Sequence, residues 1–173
     1  FEPDPQTIQT ARKNLAGNHS ITLIEAALGP SKARAKLHRG PLPETNSLLP
    51  RPDTRSRPYY PEKAVLTTGT LVDIVSIDEE CSARNIEEVD LLKLDLQGGE
   101  LGALKGAYEM LKGASIKAIL SEAVFVRKYN QQPLLWELWQ YLAEFEYSIY
   151  CLADVKTGPY DSADTSLRRI QWN

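Results

Sequence analysis

Residues 91–100, Leu-Leu-Lys-Leu-Asp-Leu-Gln-Gly-Gly-Glu, constrain the fold of this chain more than any other stretch. An apolar run stops at Asp95, two glycines follow, and Glu100 opens a predicted helix. Leu101, Leu104, Tyr108 and Leu111 share one face of that helix, and Gly113 is its natural C-cap. Strand, acidic turn and helix follow one another where open α/β sheets build ligand sites, at the carboxyl ends of their strands. The first residues, Phe1-Glu2-Pro3-Asp4-Pro5, read as the same device again. Asp4 is placed as an N-cap and Pro5 at the first helical position, where no amide is missed. Ile8, Ala11 and Leu15 continue that helix until Gly17 ends it.

The rest of the chain alternates in the same way. Strands are predicted over 21–28, 33–38, 89–96 and 116–120, and a helix over 77–84. The run from Val89 to Leu96 is nearly continuous in apolar residues, as in a strand covered on both faces. Ser121-Glu122 sets a further carboxylate at the end of the strand after it. Pro133 opens a helix that buries Leu134, Leu138, Leu142 and Phe145, with Leu135 and Trp139 alongside. Trp136, Trp139 and Tyr141 are read as packing residues. Late strands over 147–152 and 167–172 lie close together with no long helix between them. This order predicts an α/β fold: a mostly parallel sheet, helices on both faces, and an antiparallel strand at the far edge.

Residues 39–62 break the pattern. Six of the eleven prolines fall there, which excludes a helix or a central strand. Such a segment is a mobile surface loop or a lid over a site. Arg39, Arg51, Arg55 and Arg57 suit a lid that grips an anionic substrate. Lys63 to Thr70 then reads as a β-rich extension.

At 173 residues a single domain is expected. A net charge of −3 without a basic stripe gives nucleic acid no electrostatic footprint. No apolar run reaches the roughly 20 residues of a membrane helix. No secretory signal pattern opens the chain, so the cytoplasm is the default compartment. Cys81 and Cys151 read as separate free thiols, His19 and His38 as ordinary surface or core residues, and no metal-binding set emerges.

Four acids stand where function would place them: Glu2, Asp95, Glu100 and Glu122. A carboxylate after the second strand of a nucleotide-binding sheet can accept both hydrogen bonds of a ribose diol, which suits Glu2. A solvated acid beside a helix cap is the plain alternative. Asp95 ends a buried strand and needs a partner or a cavity. Glu100 either serves a site or simply favours a helix N-terminus.

Together these residues resemble the FkbM-type methyltransferases, which use S-adenosylmethionine to methylate hydroxyl groups. The likeness rests on Phe1-Glu2-Pro3-Asp4-Pro5, Ala26-Ala27-Leu28-Gly29, Asp90 through Glu100-Leu101, Leu104-Lys105-Gly106-Ala107 and Ser121-Glu122. It implies a Rossmann-like class I methyltransferase sheet. It also implies that Glu2 holds the cofactor ribose, that Glu25 and Ala26 border the adenine, and that Asp95 lies beside the methyl-transfer point. Asp95, Glu100 and Glu122 become the catalytic candidates, acting on a small-molecule or carbohydrate hydroxyl such as that of a sugar or polyketide.

The first strand and glycine-rich turn of that fold would precede Phe1, and no Gly-x-Gly occurs in the chain. The resemblance therefore implies a single truncated domain over 1–173, inactive by itself. Its exposed strand edges would invite pairing with another chain, a homodimer being one form. Two rivals stay open: a noncatalytic binding domain that keeps the fold, and an NAD-dependent dehydrogenase, since an acid after the second strand serves that cofactor too.

Overall fold

Asp4 sets the geometry of the N-terminal segment. Its Oδ1 caps α1 (Pro5–Asn14), accepting from the backbone of Gln6 at 2.8 Å and Thr7 at 3.2 Å. The residue is buried, and a buried carboxylate needs cationic or donor partners. Arg39 answers with an ion pair, Nε to Oδ2 at 2.9 Å, and Asn46 Nδ2 donates to the same oxygen at 3.3 Å. One acid thus ties the first helix to residues 39 and 46. The computed structural model describes residues 1–40, 42–52, 69–153 and 155, and the backbone alone of 166–172.

The described strands form two sheets. In the first, β1 (Ala27–Leu28) runs parallel to β3 (Gly69–Val75), and β2 (Ala33–His38) lies antiparallel on the other side of β3. In the second the order is β4-β5-β7-β6, with β4 (Leu92–Leu94) parallel to β5 (Ile119–Val124). β7 (Ser166–Trp172) is antiparallel to both β5 and β6 (Ile149–Ala153).

Two sheet expectations are corrected. The sheets are mixed rather than mostly parallel, because β2–β3, β5–β7 and β6–β7 are antiparallel. The antiparallel strand is also not at the edge. β7 returns between β5 and β6 and bonds to both, leaving β6 outermost. Parallel neighbours need a crossover, usually helical, whereas a direct return gives antiparallel ones.

Strand lengths differ as well. The strand expected over 21–28 keeps only Ala27–Leu28 in a ladder, although Glu2 N still donates to Ile24 O at 3.0 Å. The strand over 89–96 contracts to Leu92–Leu94, with one isolated bridge from Val89 to Ile116. Leu94 is buried but Leu91 and Lys93 are exposed, so this strand is not covered on both faces. Among the described residues β4 has a strand neighbour on one side only. The strand placed at 116–120 lies instead at 119–124, and the described end of the β-rich extension, Gly69 and Thr70, belongs to a strand that runs on to Val75. Residues 63–68 of that extension, and 41 and 53–62 of the proline-rich segment, lie outside the described residues.

The helix after Glu100 comes in two pieces, α3 (Glu100–Lys105) and α4 (Tyr108–Lys112). The break falls at Gly106 and Ala107. A β-carbon at Gly106 would sit 2.1 Å from Gly29 O, so two backbones meet where a side chain cannot fit. Asp78, near the start of α2 (Ile77–Ala83), secures the restart. Its N–H donates to Gly106 O at 2.8 Å, and its carboxylate accepts from Glu109 N and Met110 N. The offset buries Ala107 and leaves Tyr108 exposed.

α5 (Leu135–Ala143) buries Leu138 and Leu142 as its spacing predicts. Trp136 and Trp139, expected to pack, are half exposed on the other side, while Tyr141 stacks edge-on against Phe145 at 5.3 Å. The main core joins Leu94, Leu104, Leu111, Ile116, Ile119, Leu138 and Leu142 between the second sheet and its helices. A smaller cluster of Ala27, Leu37, Val72 and Ile74 serves the first sheet. Cys81 is buried, Cys151 exposed, and both are free. No helix among the described residues is long and apolar enough to cross a membrane.

Replacing Asp4 with alanine removes the α1 cap and strands the Arg39 charge. Urea unfolding should show a loss of about 3 kcal/mol. A loss of about 1 kcal/mol, typical of a cap alone, would mean that Arg39 and Asn46 add nothing.

Candidate active site

A cavity opens between the end of the first sheet and the loop that follows β4. Glu2, Ala26, Asn46, Ser47, Asp95 and Gln97 are among the residues that line it. The bond from Glu2 N to Ile24 O sets Glu2 beside the chain entering β1, which carries Ala26 to the wall. β4 ends at Leu94 and delivers Asp95 to the opposite wall. A 3₁₀ turn at Pro43–Thr45 and the residues up to Leu48 form a third side.

Glu2 is partly buried. Burial raises its pKa, opposed by the hydrogen bond that Oε1 accepts from Asp4 N at 2.8 Å. Its other oxygen accepts nothing from a described residue, which leaves it open to a ligand in the cavity.

The loop from Asp95 to Gly99 turns through two left-handed residues, Gln97 at φ 51° and Gly98 at φ 102°. Gly98 is required twice over, since a β-carbon there would also lie 2.8 Å from Leu49 Cδ1. Glu100 holds the turn from beneath. Its Oε1 accepts from Leu96 N at 2.9 Å and Gly98 N at 3.2 Å. It is buried, 3% exposed, and does not line the cavity. Burial pushes its pKa up to about 7, against the pull of the backbone N–H groups and with a smaller push from the Glu122 charge. Ser47 holds the turn from the side, its hydroxyl donating to Gln97 O at 2.7 Å.

Gln97 joins the remaining acids. Its Nε2 donates to Asp95 Oδ1 at 3.1 Å and to Glu122 Oε2 at 3.0 Å. Asp95 is about half exposed and also meets Lys93 Nζ at 3.3 Å. Glu122 lies within β5 rather than after it, where the β5–β7 register shifts between Ser121 and Ala123. Such irregularities re-aim side chains. Tyr129, buried, points its hydroxyl at Gln97 Oε1 (3.2 Å) and Thr45 O (3.1 Å).

The structure therefore gathers Glu2, Ala26 and Asp95 on one cavity and links Glu122 to it through Gln97. Glu100 supports the loop from inside. Glu25 is not on the cavity; it is exposed and paired with Arg12 at 2.9 Å. The arginines expected to grip an anion are otherwise engaged where described: Arg39 holds Asp4, and Arg51 stacks over the Tyr129 ring at 5.3 Å. Arg55 and Arg57 lie outside the described residues. Asn46, Ser47, Gln97 and Tyr129 escaped the sequence reading. Only Gln97, inside the strand–turn–helix block, carried a signal that could have exposed it.

Glu2 and Asp95 face one cavity across a wall that includes Ala26 and Ala27, and an α/β domain carries them. Its family can be stated more narrowly. The chain belongs to the FkbM methyltransferase family: the Methyltransferase FkbM domain matches residues 1–149. A curated relative, "2-O-methyltransferase NoeI" of Sinorhizobium fredii (strain NBRC 101917 / NGR234), is 26% identical over 153 residues. The match covers 84% of this chain, and the chain spans only 61% of that protein's length. No solved structure matches the chain.

Glu100 has a measurable signature. Its pKa is raised on folding, so the folded state binds this proton more tightly than the unfolded state. The stabilisation is full below pH 4.5 and is lost as pH rises to about 7. The whole change is on the order of 3 kcal/mol. Glu100→Gln keeps an acceptor for both N–H groups and cannot ionise. Compared with wild type by urea unfolding at pH 4.5 and 7.5, it should show the shallower decline. Equal declines would show that Glu100 is not held as described.

Proposed function

We propose that this chain provides the ribose-binding and acceptor-side residues of an S-adenosylmethionine-dependent O-methyltransferase. The observation that carries the reading is the presence of Glu2, Ala26 and Asp95 on one cavity. Family membership supports the cofactor, and the residues present fit it. Glu2 offers an open carboxylate oxygen for a ribose diol, and Ala26 and Ala27 leave room for a flat base beside it. When bound, the cofactor supplies a sulfonium methyl group open to in-line attack by a hydroxyl oxygen.

Asp95 is the residue placed to take the hydroxyl proton. It is accessible, and Lys93 and Gln97 fix its two oxygens from the side. Orientation of the hydroxyl supplies much of the acceleration, and proton removal adds to it. Glu122 acts beside Asp95 through the same amide, and Glu100 keeps the loop in shape.

The cavity also bears on the acceptor. Glu2, Glu44 and Asp95 line it, with no lysine or arginine among the described lining residues. A neutral, hydroxyl-rich acceptor such as a sugar suits such walls better than an anionic one. The relative named as a 2-O-methyltransferase supports an oxygen acceptor.

Calorimetric titration with S-adenosylhomocysteine tests the reading. Glu2→Gln should weaken binding about tenfold, the scale of one charge-assisted hydrogen bond. Asp95→Asn should leave that affinity intact and lower kcat about 100-fold. Unchanged binding by Glu2→Gln would remove the ribose assignment.

A further inference from the structure

The acids of this site are held by a neutral residue. We propose that Gln97 is a positioning residue, resting on the methyltransferase reading above, that holds Asp95 and Glu122 in one fixed arrangement while Tyr129 sets the orientation of its amide.

Hydrogen-bond chemistry carries the inference. A glutamine amide has two N–H donors on one side and a carbonyl acceptor on the other. Here both donors are spent on carboxylates, at 3.1 Å and 3.0 Å, and the carbonyl accepts from the phenol of Tyr129 at 3.2 Å. Flipping the amide would turn its oxygen toward two acids and its N–H groups toward a hydroxyl, losing both charge-assisted bonds. The orientation is therefore determined by its surroundings. The left-handed backbone at Gln97 and the bond from Ser47 to its carbonyl aim the side chain at that point.

The consequence for chemistry is specific. Two carboxylates brought close tend to share a proton, which takes one out of use as a base. A donor that bonds to an oxygen of each opposes that sharing. Among the described residues, charged and titratable groups around the amide include Lys93 on Asp95, Arg51 over the Tyr129 ring, and Glu100 beneath the loop. None of the three stands between Asp95 and Glu122 as the amide does.

The test uses the protein labelled with nitrogen-15 in its glutamine side chains. Proton–nitrogen spectra should show two distinct Nε2 protons for Gln97. One should move in Asp95→Asn and the other in Glu122→Gln. Amide protons that respond to neither change would overturn the clamp outright.

Activity is read as transfer of a tritiated methyl group from S-adenosylmethionine to a panel of common monosaccharides. Gln97→Met, of similar length but without donors, should lower kcat about 100-fold. KM for S-adenosylmethionine should stay unchanged, and the acid limb of the pH profile should move to higher pH. Tyr129→Phe keeps the ring under Arg51, guards against a folding defect at position 97, and should give a smaller change in the same direction. Full activity with an unmoved profile in both variants would overturn the positioning role while sparing the methyltransferase reading. If the wild type methylates none of the sugars and binds no S-adenosylhomocysteine, the underlying reading fails and takes the positioning role with it, whatever the spectra show.

Discussion

The turn at residues 95–99 is the constraint on which the site depends. Gln97 occupies a backbone region that a side chain enters at a cost of roughly 1–2 kcal/mol, and it stays there because its neighbours leave no alternative. Glu100 draws Leu96 N and Gly98 N inward from below, and Ser47 takes the carbonyl of Gln97 from the side. Without these bonds Asp95 would sit at the end of a three-residue strand with only Lys93 to aim it. The acid that does the holding is buried and hard to ionise. The acid at the cavity, Asp95, is about half exposed. One loop thus sets a buried, hydrogen-bonded carboxylate and a cavity-lining one only five residues apart.

The proline-rich segment has a more definite place than its composition suggested. Its described part is a wall, fixed by the Asn46 bond to Asp4, the Ser47 pairing with His38, and the Leu49 contact with the glycine turn. Proline denies it regular structure, and side-chain bonds to the domain supply the order instead. Asp4 belongs to the same scheme, because Arg39 and Asn46 flank the wall on the side of the first helix.

What could be read from the sequence was whatever depends on neighbours along the chain. The Asp4-Pro5 cap, the start of α2 at Ile77 and the buried stripe of α5 all follow from local chemistry and hold in the structure. The order of strands did not follow, because whether β7 inserts beside β5 or lies outside β6 is decided by contacts distant in sequence. The break at Gly106 hid for the same reason: the backbone it must clear belongs to Gly29. At the site, Glu2, Ala26 and Asp95 could be placed on one cavity from motif positions. Glu122, expected after its strand, lies within it. Tyr129 gave no warning at all, since a tyrosine after a strand is ordinary until its hydroxyl is seen pointing at Gln97.

That hydroxyl has one proton and two acceptors at nearly equal range, Thr45 O and Gln97 Oε1. It can satisfy only one of them fully at a time. Whatever pulls the glutamine carbonyl aside hands the bond to the wall, and whatever moves the wall hands it back, a transfer of about 1 kcal/mol either way. The two halves of the cleft therefore meet at a single phenol, which stands between the backbone of residue 45 and the amide that touches both acids.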